Sequence, residues 1–163
     1  VKILSILALV LTLAACTNPE EGADNTVPRL NLPDYQGRWL VVNYWAEWCK
    51  PCIKEIPELN SLDQRYAQIA VLGVNFDGNT GAELETQVEK LGIAFPTLLE
   101  DPAAQLGMQK PSVLPTTLVF DPDGRLANTL VGPQTLESLA LATGQAAMPE
   151  AGPVAEDILP QGQ

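Results

Sequence analysis

Histidine is absent from all 163 residues, which removes the commonest general base and the commonest metal ligand together. Basic side chains are scarce as well: 9 Lys and Arg face 20 Asp and Glu, for a formal net charge of −11. Such a surface repels polyanions, so nucleic acid is not an expected partner. Cysteine occurs only at Cys16, Cys49 and Cys52. Zinc needs four ligands, and with no histidine and no further cysteine beside Cys49 and Cys52 the site cannot be completed; no metal is expected. No Thr-x-x-Cys run occurs, which speaks against a peroxidatic cysteine. Long apolar runs are missing too. The longest, Ile3 to Leu13, falls short of the roughly 20 residues that span a bilayer.

What is there suits one packed domain with tails, since 46% of the chain is hydrophobic. Lys2, the apolar run and Ala14-Ala15 before Cys16 have the layout of an export signal covering residues 1–15. Leu13-Ala14-Ala15-Cys16 resembles the bacterial lipobox, which implies cleavage before Cys16 and acylation of its thiol. Acyl chains would anchor the protein to a membrane, each buried CH₂ contributing about 0.8 kcal/mol. Residues 16–28 are then the lipidated cysteine and a flexible tether, 29–142 the domain, and 143–163 a disordered tail rich in Ala, Pro, Gly and acids. Two cysteines remain in an exported chain, so they are expected to be oxidised or redox-active.

Within the domain, residues 30–32 form a weak strand candidate before the Pro33–Gly37 turn. Trp39–Trp45, large and β-branched, predicts a buried central strand. Residues 49–67 carry Ile53, Ile56, Leu59 and Leu62 at helical spacing. A strand over 69–76, a helix over 82–91 with Gly92 as its C-cap, and a short helix over 101–106 follow. Thr116–Phe120 and residues 125–131 flank an Asp-Pro-Asp-Gly turn and predict a hairpin, and 134–142 a last helix. This alternation predicts an α/β fold, a mixed central sheet with helices on both faces.

The chemistry gathers in Trp45-Ala46-Glu47-Trp48-Cys49-Lys50-Pro51-Cys52, which leaves a strand and opens a helix. Unsatisfied N–H groups and the positive end of the helix stabilise a thiolate at Cys49. Lys50 pushes the same way, and Pro51 is tolerated in a first turn. Cys49, expected to be the more exposed, is the attacker and Cys52 the resolver. The bland alternative is a structural disulfide, but so small a loop restricts the unfolded chain little. Trp45 reads as core and Trp48 as a partly exposed rim; Glu47 reads as surface.

The stretch from Val41 to Pro57 resembles thioredoxin, with Trp-Ala-Glu-Trp-Cys-x-Pro-Cys and a helix proline five residues after Cys52. Leu114-Pro115-Thr116 resembles the family's cis-proline loop, which implies that Pro115 packs against the disulfide and that Leu114 and Thr116 border bound substrate. Val71 to Asp77 with the helix after it, 92–96 and 120–124 are similar to the exported TlpA/ResA-like branch and its central insertion. The resemblance implies a thioredoxin-like fold, a redox-active disulfide as the sole cofactor, and substrates among exported protein dithiols and disulfides, apocytochrome c included. Electrons would come from a membrane thiol-relay reductant. Where thioredoxin has a buried Asp this chain has Asn43, which takes no proton. Glu55, three residues after Cys52, is the candidate acceptor, with a solvated helix charge as its alternative. A disulfide oxidase or isomerase and a non-catalytic envelope binding module are the competing functions.

Overall fold

Two runs of β-branched and aromatic residues fix the centre of the sheet. Trp39–Trp45 (β2) lies beside Ile69–Asn75 (β3) in parallel, in register from Trp39↔Ile69 to Trp45↔Asn75. Both strands are buried almost throughout, as strands covered on both faces must be. The computed structural model describes residues 26–27 and 29–145. The expected signal segment, Cys16 and most of the tether and tail lie outside the described residues.

Around that pair the sheet runs β1-β4-β3-β2-β5-β6. Thr116–Phe120 (β5) and Leu126–Val131 (β6) form the expected hairpin, with β5 antiparallel to β2. Thr26–Val27 (β1) and Thr97–Leu98 (β4) are two-residue strands at the opposite edge. Lys50–Arg65 (α1) and Gly81–Leu91 (α2) cross over between parallel strands, and Leu136–Ala142 (α3) closes the chain. Gly92 ends α2 at φ 66°, the left-handed cap that its sequence position predicts. Among the described residues no helix is long and apolar enough to cross a membrane.

The core has two layers, one on each face. Ile56, Leu59 and Leu62 of α1, Leu84 of α2 and Leu139 of α3 pack with Val41, Trp45, Val71, Cys49 and Cys52. On the other face Leu40, Val42, Tyr44, Leu72, Val74 and Leu118 are covered by Leu32, Tyr35, Leu106 and Met108. Helical cover is thus present on both faces but unequal: three α-helices on one, a 3₁₀ turn and a loop on the other. Close approach at Gly73 explains why β3 carries no side chain there. A Cβ would stand 2.8 Å from Trp45 Nε1 and 3.1 Å from both Phe95 Cε2 and Thr97 Oγ1.

Four sequence expectations need correction. Residues 30–32 are not a strand; Leu32–Tyr35 is a 3₁₀ turn, because Pro33 cannot donate to a ladder and Asp34 N–H closes on Asn31 O. The edge strand is instead Thr26–Val27, inside the stretch expected to be a flexible tether, with Leu99 N–H donating to Val27 O at 2.8 Å. Residues 101–106 make one turn rather than a helix. Pro102 lacks a donor, and so short a segment cannot recover the cost of helix nucleation. The tail starts later than 143: Thr143 is buried and Gln145 N–H donates to Ala140 O, so the cap of α3 still holds these residues.

Candidate active site

Cys49 is the N-cap of α1, and its sulfur accepts the backbone N–H of Cys52 at 3.2 Å. Cys49 and Cys52 form a disulfide with their Cα atoms 5.3 Å apart. The first turn of α1 holds Lys50, Pro51 and no acidic residue, so nothing offsets the positive end of the helix at Cys49. Both Lys50 and Pro51 are exposed. Cys49 is the more exposed of the two, as expected, but only slightly: 4% against 2% for Cys52. What distinguishes them is position. Only the Cys49 sulfur sits on the unsatisfied N–H groups of the helix.

The Leu114–Pro115 peptide bond is cis. β5 pairs Thr116 with Tyr44, so Pro115 comes one step further, at the level of Trp45 and the loop into α1. Leu114 packs against the core layer that contains both cysteines. Its own N–H and C=O make no hydrogen bond among the described residues, whereas Pro115 O accepts Gly132 N–H at 2.9 Å. Thr116 is buried, and its hydroxyl donates back to Val113 O at 2.8 Å, bracing the loop rather than opening onto the disulfide.

Below the cysteines lies a buried carboxyl group. Glu55 is 1% exposed, one turn along α1 from Cys52 and on the same face. Asn43 Nδ2 donates to its Oε2 at 3.2 Å and to Thr117 Oγ1 at 2.8 Å, and Gln134 N–H donates to its Oε1 at 3.2 Å. Burial pushes the Glu55 carboxyl up to about 7; the donors Gln134, Asn43 and Thr117 pull the other way without cancelling it. The solvated alternative is therefore wrong. A carboxyl that titrates near neutrality can both take and return a proton.

Trp45 is fully buried and Trp48 is 63% exposed, as the sequence suggests. Trp48 is nevertheless fixed: its Nε1 donates to Asp77 Oδ2 at 2.9 Å and its ring meets Phe76 edge-on. Lys110 lies 4.3 Å over the Phe76 ring and donates to Phe76 O at 2.6 Å. Glu47, half-buried, pairs with Lys90. Sequence reasoning missed Thr117, Gln134, Asp77 and Lys110. A search for donors to a buried Glu55 finds Thr117, which stands opposite Asn43 in the β2–β5 ladder. Nothing local marks the other three.

Comparison with known proteins agrees with this arrangement. The AhpC/TSA family model matches residues 16–129. The chain is 31% identical over 112 residues to the thiol-disulfide oxidoreductase ResA of Bacillus thuringiensis (strain Al Hakam), covering 68% of this chain and 65% of that protein. It thus spans slightly less than two thirds of the relative's length. A DsbF homologue from Corynebacterium diphtheriae superposes with a TM-score of 0.61 at 30% identity, over 69% of this chain and 74% of that one. StoA from Bacillus subtilis does so at 0.54 and 22% identity, over 66% and 83%, a likeness of fold alone. With the match running through the strand, the Cys-x-x-Cys helix and the cis-proline hairpin, the chain belongs to the AhpC/TSA family and has a thioredoxin-like fold.

Proposed function

We propose that the chain is a thiol–disulfide oxidoreductase that reduces disulfides of exported proteins, anchored to a membrane through a lipid on Cys16. The Cys49–Cys52 disulfide at the N-terminus of α1 is the observation that carries the reading. In the dithiol form the Cys49 thiolate attacks one sulfur of a substrate disulfide. That bond breaks, a substrate thiolate leaves, and a mixed disulfide joins Cys49 to the other half. Cys52 passes its proton to the Glu55 carboxylate and attacks the Cys49 sulfur. The second substrate thiolate leaves and takes the proton from Glu55. Two electrons have moved from the dithiol to the substrate, and the protein ends in the disulfide form. An external dithiol, in our reading a membrane thiol relay, restores it; apocytochrome c is among the substrates this role would serve.

Trapping tests the reading directly. In Cys52→Ser the mixed disulfide cannot be resolved, so exported proteins should accumulate on Cys49 and be identified by mass spectrometry. Absence of any Cys49-linked partner would sink the proposal. Direction is read from the reduction potential: a value near about −270 mV fits a reductant, and one near about −120 mV would reverse the assignment. In Glu55→Gln the resolving rate should lose its inflection near pH 7. An unchanged pH–rate profile would remove Glu55 from the mechanism.

A further inference from the structure

The face of the sheet opposite the cysteines has a groove of about 240 Å³ that begins at the cis-proline loop. Its floor is Thr116 and Leu118 of β5 with Thr129 and Val131 of β6, partners across the ladder as Thr116↔Val131 and Leu118↔Thr129. Met108 and Val113 stand in its wall. No charged residue lines it, although 18% of the chain is charged. Val113 and Val131 are 53% and 61% exposed, large apolar surfaces left open on an acidic protein. The volume is below the roughly 300–1,000 Å³ of small-molecule sites and suits one large side chain.

What could fill it follows from Leu114. This residue packs against both core layers, so it stands at the sheet end where the two faces meet. Its backbone N–H and C=O are unpaired among the described residues. An extended polypeptide hydrogen-bonded there would send successive side chains to opposite faces. One set would point toward Cys49, the other toward the groove. The geometry points to this groove as a second subsite for the polypeptide substrate, taking an apolar side chain at an odd number of residues from the substrate cysteine. A charged side chain there would lose water and meet no opposite charge, only neutral groups such as Gln109, Ser112 and Thr129. This inference rests on the oxidoreductase reading.

The test uses the full chain and short peptides whose single cysteine is held as a mixed disulfide with glutathione, with Leu or Asp placed at each offset from that cysteine. Preference for Leu in kcat/KM should reach about tenfold at an odd offset and stay below about threefold at even ones. Val131→Lys and Thr129→Arg, both exposed positions outside the redox machinery, should each reduce that preference below about threefold by supplying a counter-charge for Asp. Turnover of the small disulfide 5,5′-dithiobis(2-nitrobenzoate) should stay within about twofold of the unmodified protein in both. If the protein turns over the small disulfide but shows no odd-offset preference, or keeps that preference in both variants, the groove is not a subsite. If the unmodified protein fails with the small disulfide, the oxidoreductase reading itself falls.

Discussion

A single carboxyl group, Glu55, is buried at an electrostatic cost, and that cost has a sign that can be measured. Burial lifts its pKa in the folded protein to about 7, from an ordinary 4.5. Between those two pH values the folded protein holds a proton that the unfolded chain has released, so this group's contribution to stability is complete below about 4.5 and is lost as pH rises through 7. The loss is on the order of 3 kcal/mol. Glu55→Gln keeps the shape and never ionises, but its one carbonyl oxygen can accept from only one of Asn43 and Gln134, which the carboxyl takes on separate oxygens. Urea titrations should therefore find the variant gaining on the order of 3 kcal/mol relative to the parent between pH 4.5 and pH 8. Equal differences at the two pH values would contradict the burial argument. The sequence offered only half of this. An acidic residue three positions after Cys52 is plain in one dimension; its burial depends on Asn43 and Thr117 meeting across β2 and β5, a long-range contact that no local pattern encodes.

Short elements divide by whether something outside them supplies what their length cannot. α3 has seven residues, too few to be stable alone, yet it forms. Thr135 and Ser138 close a capping box at its start, Glu58 on α1 accepts Leu136 N–H at 2.9 Å, and Leu139 is fully buried against α1. Residues 101–106 have a cap as well, Asp101 Oδ1 accepting Ala103 N–H at 2.9 Å, but it lies within the segment itself and they remain a turn. Removing each support should cost a different amount. Thr135→Ala loses one cap, about 1 kcal/mol, while Leu139→Ala opens a core cavity and costs about 2–5 kcal/mol. Because α3 follows directly on Gln134, whose N–H holds Glu55, hydrogen exchange at Gln134 should quicken in Leu139→Ala well before global unfolding. Protection at Gln134 equal to that of β2 would mean that α3 and the site do not open as a local unit.

Across the whole molecule, the central strands were legible and the edges were not, for one reason. β2, β3 and β5 are dense in buried large residues, and their pattern repeats over five to seven positions. β1 and β4 contribute two residues each, below what any periodicity can reveal, and β1 lies in a polar stretch that resembles linker. The structure nevertheless joins Thr26–Val27, Arg29 and Leu30 to the domain, through the β1–β4 ladder with Val27 against the second core layer, through Leu30 buried in that layer with Gln105 Nε2 donating to its O at 2.6 Å, and through Arg29 to Glu100 at 3.1 Å. These attachments differ in weight. Arg29 and Glu100 are 65% and 61% exposed, so the ion pair is screened by water and contributes little. Val27 is half-buried beside Leu98, and a charge placed there must be desolvated or the strand must leave the sheet. Val27→Asp should thus lower stability by about 1–2 kcal/mol, roughly 3–8 °C in Tm, while Arg29→Ala should stay within about 0.5 kcal/mol of the parent. Thermal melts of the two variants decide between them: a larger loss in Arg29→Ala would mean that the surface ion pair, and not the two-residue strand, fastens the start of the domain to the sheet.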